Sequence, residues 1–192
     1  MKTENFVKII GAGLAGSEAA LQLAKRGIKV KLYEMRPNKT TGAHTTSDCA
    51  EFVCSNSLGS ADITNASGLL KKEMEILGGE LIKIAKENSV PAGNALAIAR
   101  DDFSKGVNKR ISEFPNIELI REEITQIPDG NVIIASGPLT SDPLSKSIQE
   151  FTGLNHLRFF DAIAPIVEID SIDFEKAFWC SSYDRGEASY IN

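Results

Sequence analysis

The feature that most constrains this chain is a glycine-rich turn near its N-terminus, between a short apolar strand and a helical pattern. The strand Val7–Ile10 runs directly into a G-x-G-x-x-G sequence. In this motif the first glycine permits a tight turn, the second lets a pyrophosphate approach the backbone, and the third packs the helix against the strand. The positive end of the helix dipole then faces the phosphates. The motif therefore predicts a dinucleotide site, formed by Gly11, Ala12, Gly13, Leu14, Ala15 and Gly16.

A second predicted strand supplies the acid that such a site needs. Residues 28–33 alternate apolar and charged side chains, which is typical of a strand with one face less buried than the other. The strand ends at Glu34, about 20 residues after the glycines, where dinucleotide folds place an acid that binds a ribose hydroxyl. The glycines alone are a weak signal, but the whole order of strand, glycines, helix, strand and acid is specific. We therefore predict that Glu34 selects a ribose with a free 2′-hydroxyl.

Composition limits the remaining possibilities. The chain has 192 residues, 42% hydrophobic and 24% charged, which is ordinary for a soluble globular protein. No apolar run approaches the ~20 residues of a membrane span, so no membrane association is expected. The net charge of −5 argues against a surface coated for nucleic acid, although a local basic patch remains open. The three cysteines show no metal-ligand spacing, so we expect no metal site and a reducing, cytoplasmic setting.

The segment from Met35 to Ser67 shows no helix or strand periodicity and is long for a connection in an α/β unit. Loops at this place commonly carry function. Cys54 lies in it between polar residues, where a thiol close to helix amides or a flavin can have a lowered pKa and act as a nucleophile. The alternative is that Cys54 packs under the loop as a small apolar residue. His44 is interpreted as solvated, and Cys49 is expected to have a pKa raised by its acidic neighbours.

The rest of the pattern predicts alternating helices and strands. Helices are predicted at 69–88, with a break at Gly78-Gly79, at 100–114 and at 141–151, and strands at 94–99, 117–120 and 131–136. The helix after the glycine turn is expected to bury Leu14, Ala15, Ala19, Leu23 and Ala24. Four lysines are interpreted as a solvated face, namely Lys71, Lys72, Lys83 and Lys86.

The run 131–137 is apolar from Val132 to Ala135 and then meets Ser136 and Gly137. Such a run is typical of a buried parallel strand whose carboxyl end meets a ligand. Ala135-Ser136-Gly137 resembles the Ala-Thr-Gly that ends the matching strand in flavoproteins with two dinucleotide folds, which would place Gly137 beside a flavin. The alternative is a plain glycine between strand and loop. Residues 1–154 are expected to form the dinucleotide-binding domain, and residues 155–192 to begin an inserted second domain.

Several blocks occur in an order that resembles one family closely. Besides Gly11–Gly16 they include Glu34-Met35-Arg36-Pro37, Val53-Cys54-Ser55-Asn56-Ser57, Pro91-Ala92-Gly93 and Gly137-Pro138-Leu139-Thr140-Ser141-Asp142. The chain resembles the folate- and FAD-dependent tRNA (uracil-5-)-methyltransferase family over essentially its whole length. Members of that family are more than twice as long, so the chain is expected to be an N-terminal portion.

The resemblance implies a fold and a reaction. The fold would be an α/β, glutathione-reductase-type FAD/NAD(P)-binding (Rossmann-like) domain, incomplete at the C-terminus. The cofactor would be FAD, and 5,10-methylenetetrahydrofolate and NAD(P)H would be co-substrates in forming 5-methyluridine in the tRNA T-loop. By position, Glu34, Arg36, Arg100 and Gly137 would bind cofactor together with the glycine turn, and Cys54 would be the active-site cysteine.

Other functions remain open from the sequence. One is the wobble-uridine-modifying flavoprotein of the same superfamily, which would not predict the Cys54–Ser57 block. Another is an FAD oxidoreductase acting on a small metabolite, but the second G-x-G-x-x-G of a nicotinamide-binding repeat does not occur here. The last is a non-catalytic remnant that keeps only the dinucleotide fold. The sequence does not separate this remnant from the methyltransferase.

Overall fold

The computed structural model describes residues 6–53, 55–154, 168–180 and 190–191. The strands are β1 (Phe6–Ile10), β2 (Lys29–Tyr33), β3 (Ser57–Ser60), β4 (Ser89–Val90), β5 (Ala95–Ile98), β6 (Ile117–Ile120), β7 (Val132–Ile134), β8 (Trp179–Cys180) and β9 (Tyr190–Ile191). The helices are α1 (Leu14–Lys25), α2 (Ala66–Ile76), α3 (Glu80–Glu87), α4 (Arg100–Ser112) and α5 (Asp142–Thr152), with short 3₁₀ turns at Gly137–Leu139 and Ile169–Ser171.

The main sheet has four parallel strands in the order β6-β2-β1-β7. Since α1 connects β1 to the adjacent parallel strand β2, the N-terminal unit is the predicted βαβ. Ile9 of β1 and Leu32 of β2 are fully buried, and they pack with Leu21 of α1 and Phe103 of α4 in one core. All four strands direct their carboxyl ends to the same edge of the sheet, which confirms the predicted parallel α/β class.

The burial of β2 matches its sequence pattern, whereas that of β7 does not. Val30 and Leu32 are buried and Lys29 is exposed, as the alternation predicts. β7 pairs in parallel with β1, as predicted, but Ile133 is 36% and Ile134 38% exposed. The prediction of a buried strand was wrong because β7 lies at the edge of the sheet among the described residues, with β1 on one side only.

A second sheet takes one of its strands, β3, from the segment that was expected to be irregular. β3 pairs antiparallel with β5, and β5 with β4, to give a three-stranded sheet. β3 has the sequence Ser-Leu-Gly-Ser, which carries no strand signal. Its conformation follows from long-range pairing with β5, so the local pattern did not predict it.

The predicted break between the helices is confirmed, because α2 ends at Ile76 and α3 begins at Glu80. The lysine prediction was wrong at Lys71, which is only 9% exposed. Its ammonium donates to the Ser60 carbonyl at 3.0 Å and to the Ser67 carbonyl and hydroxyl at 3.0 and 2.6 Å. Lys71 therefore ties α2 to the end of β3 rather than facing solvent.

The C-terminal region is described only in part. Trp179 of β8 pairs with Ile191 of β9 in a two-stranded antiparallel sheet. Residues 155–167 and 181–189, which fall in the expected second domain, lie outside the described residues. The domain boundary after residue 154 stays a prediction. No helix in the described ranges is both long enough and apolar enough to cross a membrane.

Candidate functional site

A cleft lies at the edge of the sheet where the parallel strands end. The cleft lies at the carboxyl end of β1, which has β2 on one side and β7 on the other. The carboxyl ends of the strands are the usual ligand position in open α/β sheets. Its lining comprises Ile10, Gly11, Gly13, Tyr33, Glu34, Met35, Arg36, His44, Glu122, Glu123, Ile124, Ala135, Ser136, Leu139, Thr140, Ser141 and Leu144.

The three glycines of the motif differ in what a side chain at each position would meet. Gly11 has a φ of +96°, and a Cβ there would lie 2.7 Å from the Ala135 carbonyl oxygen. A Cβ on Gly16 would lie 1.8 Å from the Gly11 carbonyl oxygen, because α1 packs directly on the turn. Gly13 has a φ of −70°, and a Cβ there would meet nothing within 4 Å. The fold therefore requires the first and third glycines, while the space at Gly13 belongs to the cleft.

The N-terminus of α1 faces this space without a side-chain cap. Gly13 is the N-cap residue, and the first turn of the helix contains no acidic residue. The first backbone N–H groups of a helix have no partner within the helix, and the dipole adds partial positive charge there. Leu14 and Ala15 are exposed at this end, contrary to the prediction that α1 buries them. The buried face of α1 is formed by Gly16, Ser17, Ala20, Leu21 and Ala24.

Ala12 holds the turn together rather than facing the cleft. It is fully buried, and its N–H donates to Oε2 of Glu34 at 3.1 Å. Its carbonyl accepts from the Ala50 N–H at 2.8 Å and from the Ser17 hydroxyl at 3.1 Å. The glycine turn is therefore connected directly both to the acid after β2 and to the loop that follows.

Glu34 lines the cleft and is 5% exposed. Its Oε1 accepts from Nε and the backbone N–H of Arg36, at 2.8 and 3.1 Å. Burial alone would raise the pKa of Glu34, but the hydrogen bonds and charge of Arg36 outweigh it, so the pKa lies below its ordinary value. The predicted ribose ligand is thus an ionised carboxylate that is already oriented at the edge of the cleft.

Arg36 also lines the cleft, but the residue is only 2% exposed and its guanidinium lies between two carboxylates. Besides the contact with Glu34, its Nη1 donates to Oε2 of Glu51 at 2.8 Å and to the Thr46 carbonyl at 3.2 Å. Glu51 in turn accepts hydrogen bonds from the backbone and hydroxyl groups of Thr45 and Thr46. The loop after β2 is therefore folded around this cluster.

Sequence reasoning missed several residues of the cleft. His44 was interpreted as solvated, but it is half-buried in the lining, with Nδ1 2.6 Å from the Thr41 hydroxyl. Burial and the charge of Arg36 lower the pKa of His44. Glu122 and Glu123 were also missed, although they follow β6 directly. The rule that ligands bind at the carboxyl ends of strands would have found these two acids, whereas the aperiodic loop gave no signal for His44.

Gly137 lies between residues that line this cleft, whereas Arg100 lines a different pocket. Gly137 has a φ of +66° and begins a 3₁₀ turn between two lining residues, Ser136 and Leu139. Arg100 begins α4 and lines a separate wide pocket with Ser55 and Asn56. The structure thus does not bring Arg100 together with the glycine turn and Glu34, and its cofactor role stays a prediction.

Cys54 lies outside the described residues, but the segments on each side of it are anchored. Phe52 packs edge-to-face on Phe103 with ring centroids 5.3 Å apart, and its carbonyl accepts from the Arg100 guanidinium. On the other side, the Asn56 carbonyl accepts from the Ile98 N–H at 2.9 Å. Phe52 is therefore attached to α4, and Asn56 is attached to β5. Among the described residues, no group of His, Cys, Asp and Glu is arranged to hold a metal ion.

Cys49 is fully buried in the core. Burial raises its pKa to about 11, Arg121 opposes that shift, and Glu34 and Asp48 add to it. The predicted direction of the shift was correct. Its main cause is burial rather than the neighbouring acids.

Comparison with solved structures supports the fold. GidA of Aquifex aeolicus in its form I crystal superposes with a TM-score of 0.60 at 18% identity, over 76% of this chain and 30% of that chain. The form II crystal gives a TM-score of 0.55 at 19% identity, over 69% and 25%. At these identities the likeness concerns the fold alone. It confirms the predicted Rossmann-like α/β architecture.

Comparison with curated proteins identifies much closer relatives. A Bacillus subtilis (strain 168) protein is 58% identical over 189 residues, which is 98% of this chain and 43% of that protein. A Persephonella marina protein is 55% identical over 188 residues, or 97% and 43%. Both are named methylenetetrahydrofolate--tRNA-(uracil-5-)-methyltransferase TrmFO. The chain therefore spans less than half the length of these relatives.

A protein-family model also matches the chain. It is described as glucose inhibited division protein A, and it matches residues 6–192, which include the glycine turn, the cleft and the loop around Cys54. The match extends over nearly the whole chain. The chain therefore belongs to the glucose inhibited division protein A family.

Proposed function

We propose that this chain is the FAD-binding part of an enzyme that methylates C5 of uridine in the tRNA T-loop. The one-carbon donor would be 5,10-methylenetetrahydrofolate, with NAD(P)H as the source of electrons, tRNA as the partner and the cytoplasm as the location. Relatives named for this activity are 55% and 58% identical over nearly the whole chain. Because the chain spans less than half of their length, the complete reaction is proposed for the whole protein and FAD binding for this chain.

The observation that carries the FAD proposal is the open space at Gly13. The fold does not require a glycine there, yet the position opens onto the cleft at the uncapped N-terminus of α1. A diphosphate fits this environment, because free N–H groups and the positive end of the helix dipole both stabilise an anion. The backbone of Gly13–Ala15 would hold the diphosphate, and the carboxylate of Glu34 would accept a hydrogen bond from a ribose hydroxyl.

When bound, FAD supplies the electrons that reduce the transferred carbon to the level of a methyl group. The residues of this chain hold and orient it: Ala12 fixes Glu34 through a backbone hydrogen bond, and Gly11 lets the turn approach the end of β7. Gly137 would lie near the bound FAD, because it follows β7. These roles are proposals that rest on the arrangement of the cleft.

Cys54 is the proposed catalytic residue. Uracil C5 is a poor nucleophile until a thiolate adds at C6 or the ring is otherwise activated, so the reaction needs a reactive sulfur. Support comes from the described neighbours in sequence, since Phe52 packs on α4 and Asn56 bonds to β5. Arg100 donates to the Phe52 carbonyl, which brings a positive charge to Phe52. Cys54 would act either as the nucleophile or as a partner on the flavin side.

Replacing Gly13 tests the proposed cofactor site. Gly13→Val should abolish FAD retention while leaving the fold intact, because the branched side chain would fill the place of the diphosphate without striking the protein. Gly42→Val is a matched control, since a Cβ at Gly42 also meets nothing within 4 Å but Gly42 does not line the cleft. Flavin absorbance of the purified variants and their circular dichroism report the two properties. Equal flavin content in the Gly13→Val and parent proteins would contradict the assignment.

A further inference from the structure

Glu51 lies next to the cleft without lining it, and it is unusually well bonded for a loop acid. Its side chain is 10% exposed. It accepts five hydrogen bonds, from Nη1 of Arg36 and from the N–H and hydroxyl groups of Thr45 and Thr46, at 2.8 to 3.2 Å. Burial alone would raise the pKa of Glu51, but these threonine hydrogen bonds hold it below its ordinary value. The carboxylate is therefore ionised and held in place.

Glu51 is connected to the cleft through Arg36, which lines it. Among the described residues that line the cleft, it is the only arginine, and no lysine accompanies it. An arginine beside the ribose-binding acid is the group that accommodates a 2′-phosphate in sites for NADP-type nucleotides. Arg36 immediately follows Glu34 and Met35, so a free guanidinium here would weaken the selection that Glu34 exerts.

The structure prevents that role by pairing Arg36 on two sides. Its Nε donates to Glu34 and its Nη1 to Glu51, both at 2.8 Å, and its side chain is 3% exposed. Each carboxylate is fixed by further donors, Glu34 by the Ala12 N–H and Glu51 by the two threonines. Charge-assisted bonds of this kind are among the strongest in proteins. Turning Arg36 toward a phosphate would leave both buried carboxylates without their positively charged partner, which is costly.

We propose that Glu51 is a specificity-determining residue of the nucleotide cleft. It acts through Arg36, which it keeps bound and unable to receive a 2′-phosphate, so that the cleft accepts adenine nucleotides with a free 2′-hydroxyl. This inference rests on the proposed function, because it assumes that the cleft binds an adenine nucleotide. The alternative is that Glu51 only folds the loop, in which case its replacement weakens all nucleotides equally.

The test compares two probes, ADP and adenosine 2′,5′-bisphosphate, titrated calorimetrically into the intact chain after removal of any bound flavin. The parent should bind ADP the more tightly. Glu51→Gln preserves the size of the side chain and leaves an amide oxygen for the threonines, but it frees Arg36. It should improve binding of the bisphosphate about tenfold while leaving the affinity for ADP within about twofold.

Two control variants separate release of Arg36 from other causes. Thr46→Val removes one loop hydrogen bond to Glu51 but leaves the pair with Arg36, and Glu123→Gln removes a charge from a lining acid that pairs with Lys39 instead. Thr46→Val should leave the ratio of the two affinities unchanged, and Glu123→Gln, which removes a charge from the cleft lining without releasing Arg36, should shift the ratio less than Glu51→Gln does. Glu51→Asp, whose shorter side chain reaches Arg36 poorly, replaces Glu51→Gln if that variant does not fold, and should shift the ratio in the same direction.

The outcomes distinguish the two proposals. If the parent binds neither probe, the proposed function fails and this inference fails with it. If the parent binds ADP but Glu51→Gln leaves the ratio unchanged, or weakens both probes together, the inference alone is overturned. The same holds if Glu123→Gln shifts the ratio as much as Glu51→Gln, because charge in the cleft would then explain the effect without Arg36.

Discussion

Single residues show most clearly which features of the motif belong to the fold and which to the ligand. Gly11 and Gly16 are required because a Cβ would strike the backbone of the turn or of the residues after β7. Gly13 has ordinary backbone angles and open space. Ala50 shows the opposite situation, since it has a φ of +54° although it is not a glycine, and its N–H bonds the turn. Backbone strain of this kind is common where a loop is held against a functional site.

The acids around Arg36 should make stability depend on pH. The pKa values of Glu34 and Glu51 both lie below the ordinary 4.5, so their contribution is present above that pH and is lost as the pH falls through the lower, folded-state pKa. We expect the free energy of unfolding, measured in urea, to fall between pH 5 and pH 3. Glu51→Gln should reduce this dependence. An identical pH dependence in the parent and the variant would contradict the role given to Glu51.

Cys49 should be chemically inert in the folded protein. Its burial, which raises its pKa to about 11, keeps the thiol protonated and out of reach at pH 8. Alkylation by iodoacetamide followed by peptide mass spectrometry should label Cys49 only above the urea midpoint of unfolding. Labelling of Cys49 in the native state would contradict this prediction, because it would show that the thiol is accessible.

The same chemistry distinguishes Cys49 from Cys54. In the full-length protein, Cys54→Ala should keep FAD and tRNA binding but lose methyl transfer, because the reactive sulfur is removed. Cys49→Ala should keep activity and lose about 1–2 kcal/mol of stability through the cavity that it leaves in the core. Incorporation of labelled methyl groups into tRNA measures the first effect. Equal methylation by Cys54→Ala and the parent would contradict a catalytic role for Cys54.

At the scale of helices and strands, local patterns predicted what local interactions determine. The alternation in β2, the break before α3 and the proline-initiated α5 follow from side-chain periodicity and turn chemistry, and they are correct. β3 was missed because its pairing partner β5 lies more than thirty residues away in the chain. On α2 and at its C-cap, Leu70, Met74 and Leu77 remain exposed although they fit an apolar face. Periodicity detects such a face but does not show what covers it.

The helices around α1 share one buried carboxylate. Glu80 is 3% exposed and pairs with Lys25 at 2.7 Å, Arg110 at 2.7 Å and Lys83 at 3.2 Å, which joins α1, α3 and α4. Glu80→Gln should cost about 1–3 kcal/mol, because buried charge-assisted bonds are lost. Glu113→Gln, which removes only the exposed pair with Arg110, should cost less than about 0.5 kcal/mol. Urea unfolding at pH 7 compares the two, and equal effects would contradict this account.

At the scale of the whole molecule, the parallel sheet brings together residues that are distant in sequence. The glycine turn, Glu34, the acids after β6 and the residues after β7 converge because parallel strands end at one edge. The sequence motif was enough to predict Gly13 and Glu34 at this cleft, since their spacing reflects local βαβ geometry. It was not enough for His44 and Glu51, whose places depend on how an aperiodic loop folds around Arg36.

The measurement that tests the central claim most directly is a crystal structure of the protein with FAD bound. The account predicts diphosphate oxygens within hydrogen-bond distance of the backbone N–H groups of Gly13–Ala15, and a ribose hydroxyl on the carboxylate of Glu34. Arg36 should remain paired with Glu51. A flavin nucleotide bound elsewhere, such as the pocket beside Arg100 with the space at Gly13 filled only by water, would contradict the account.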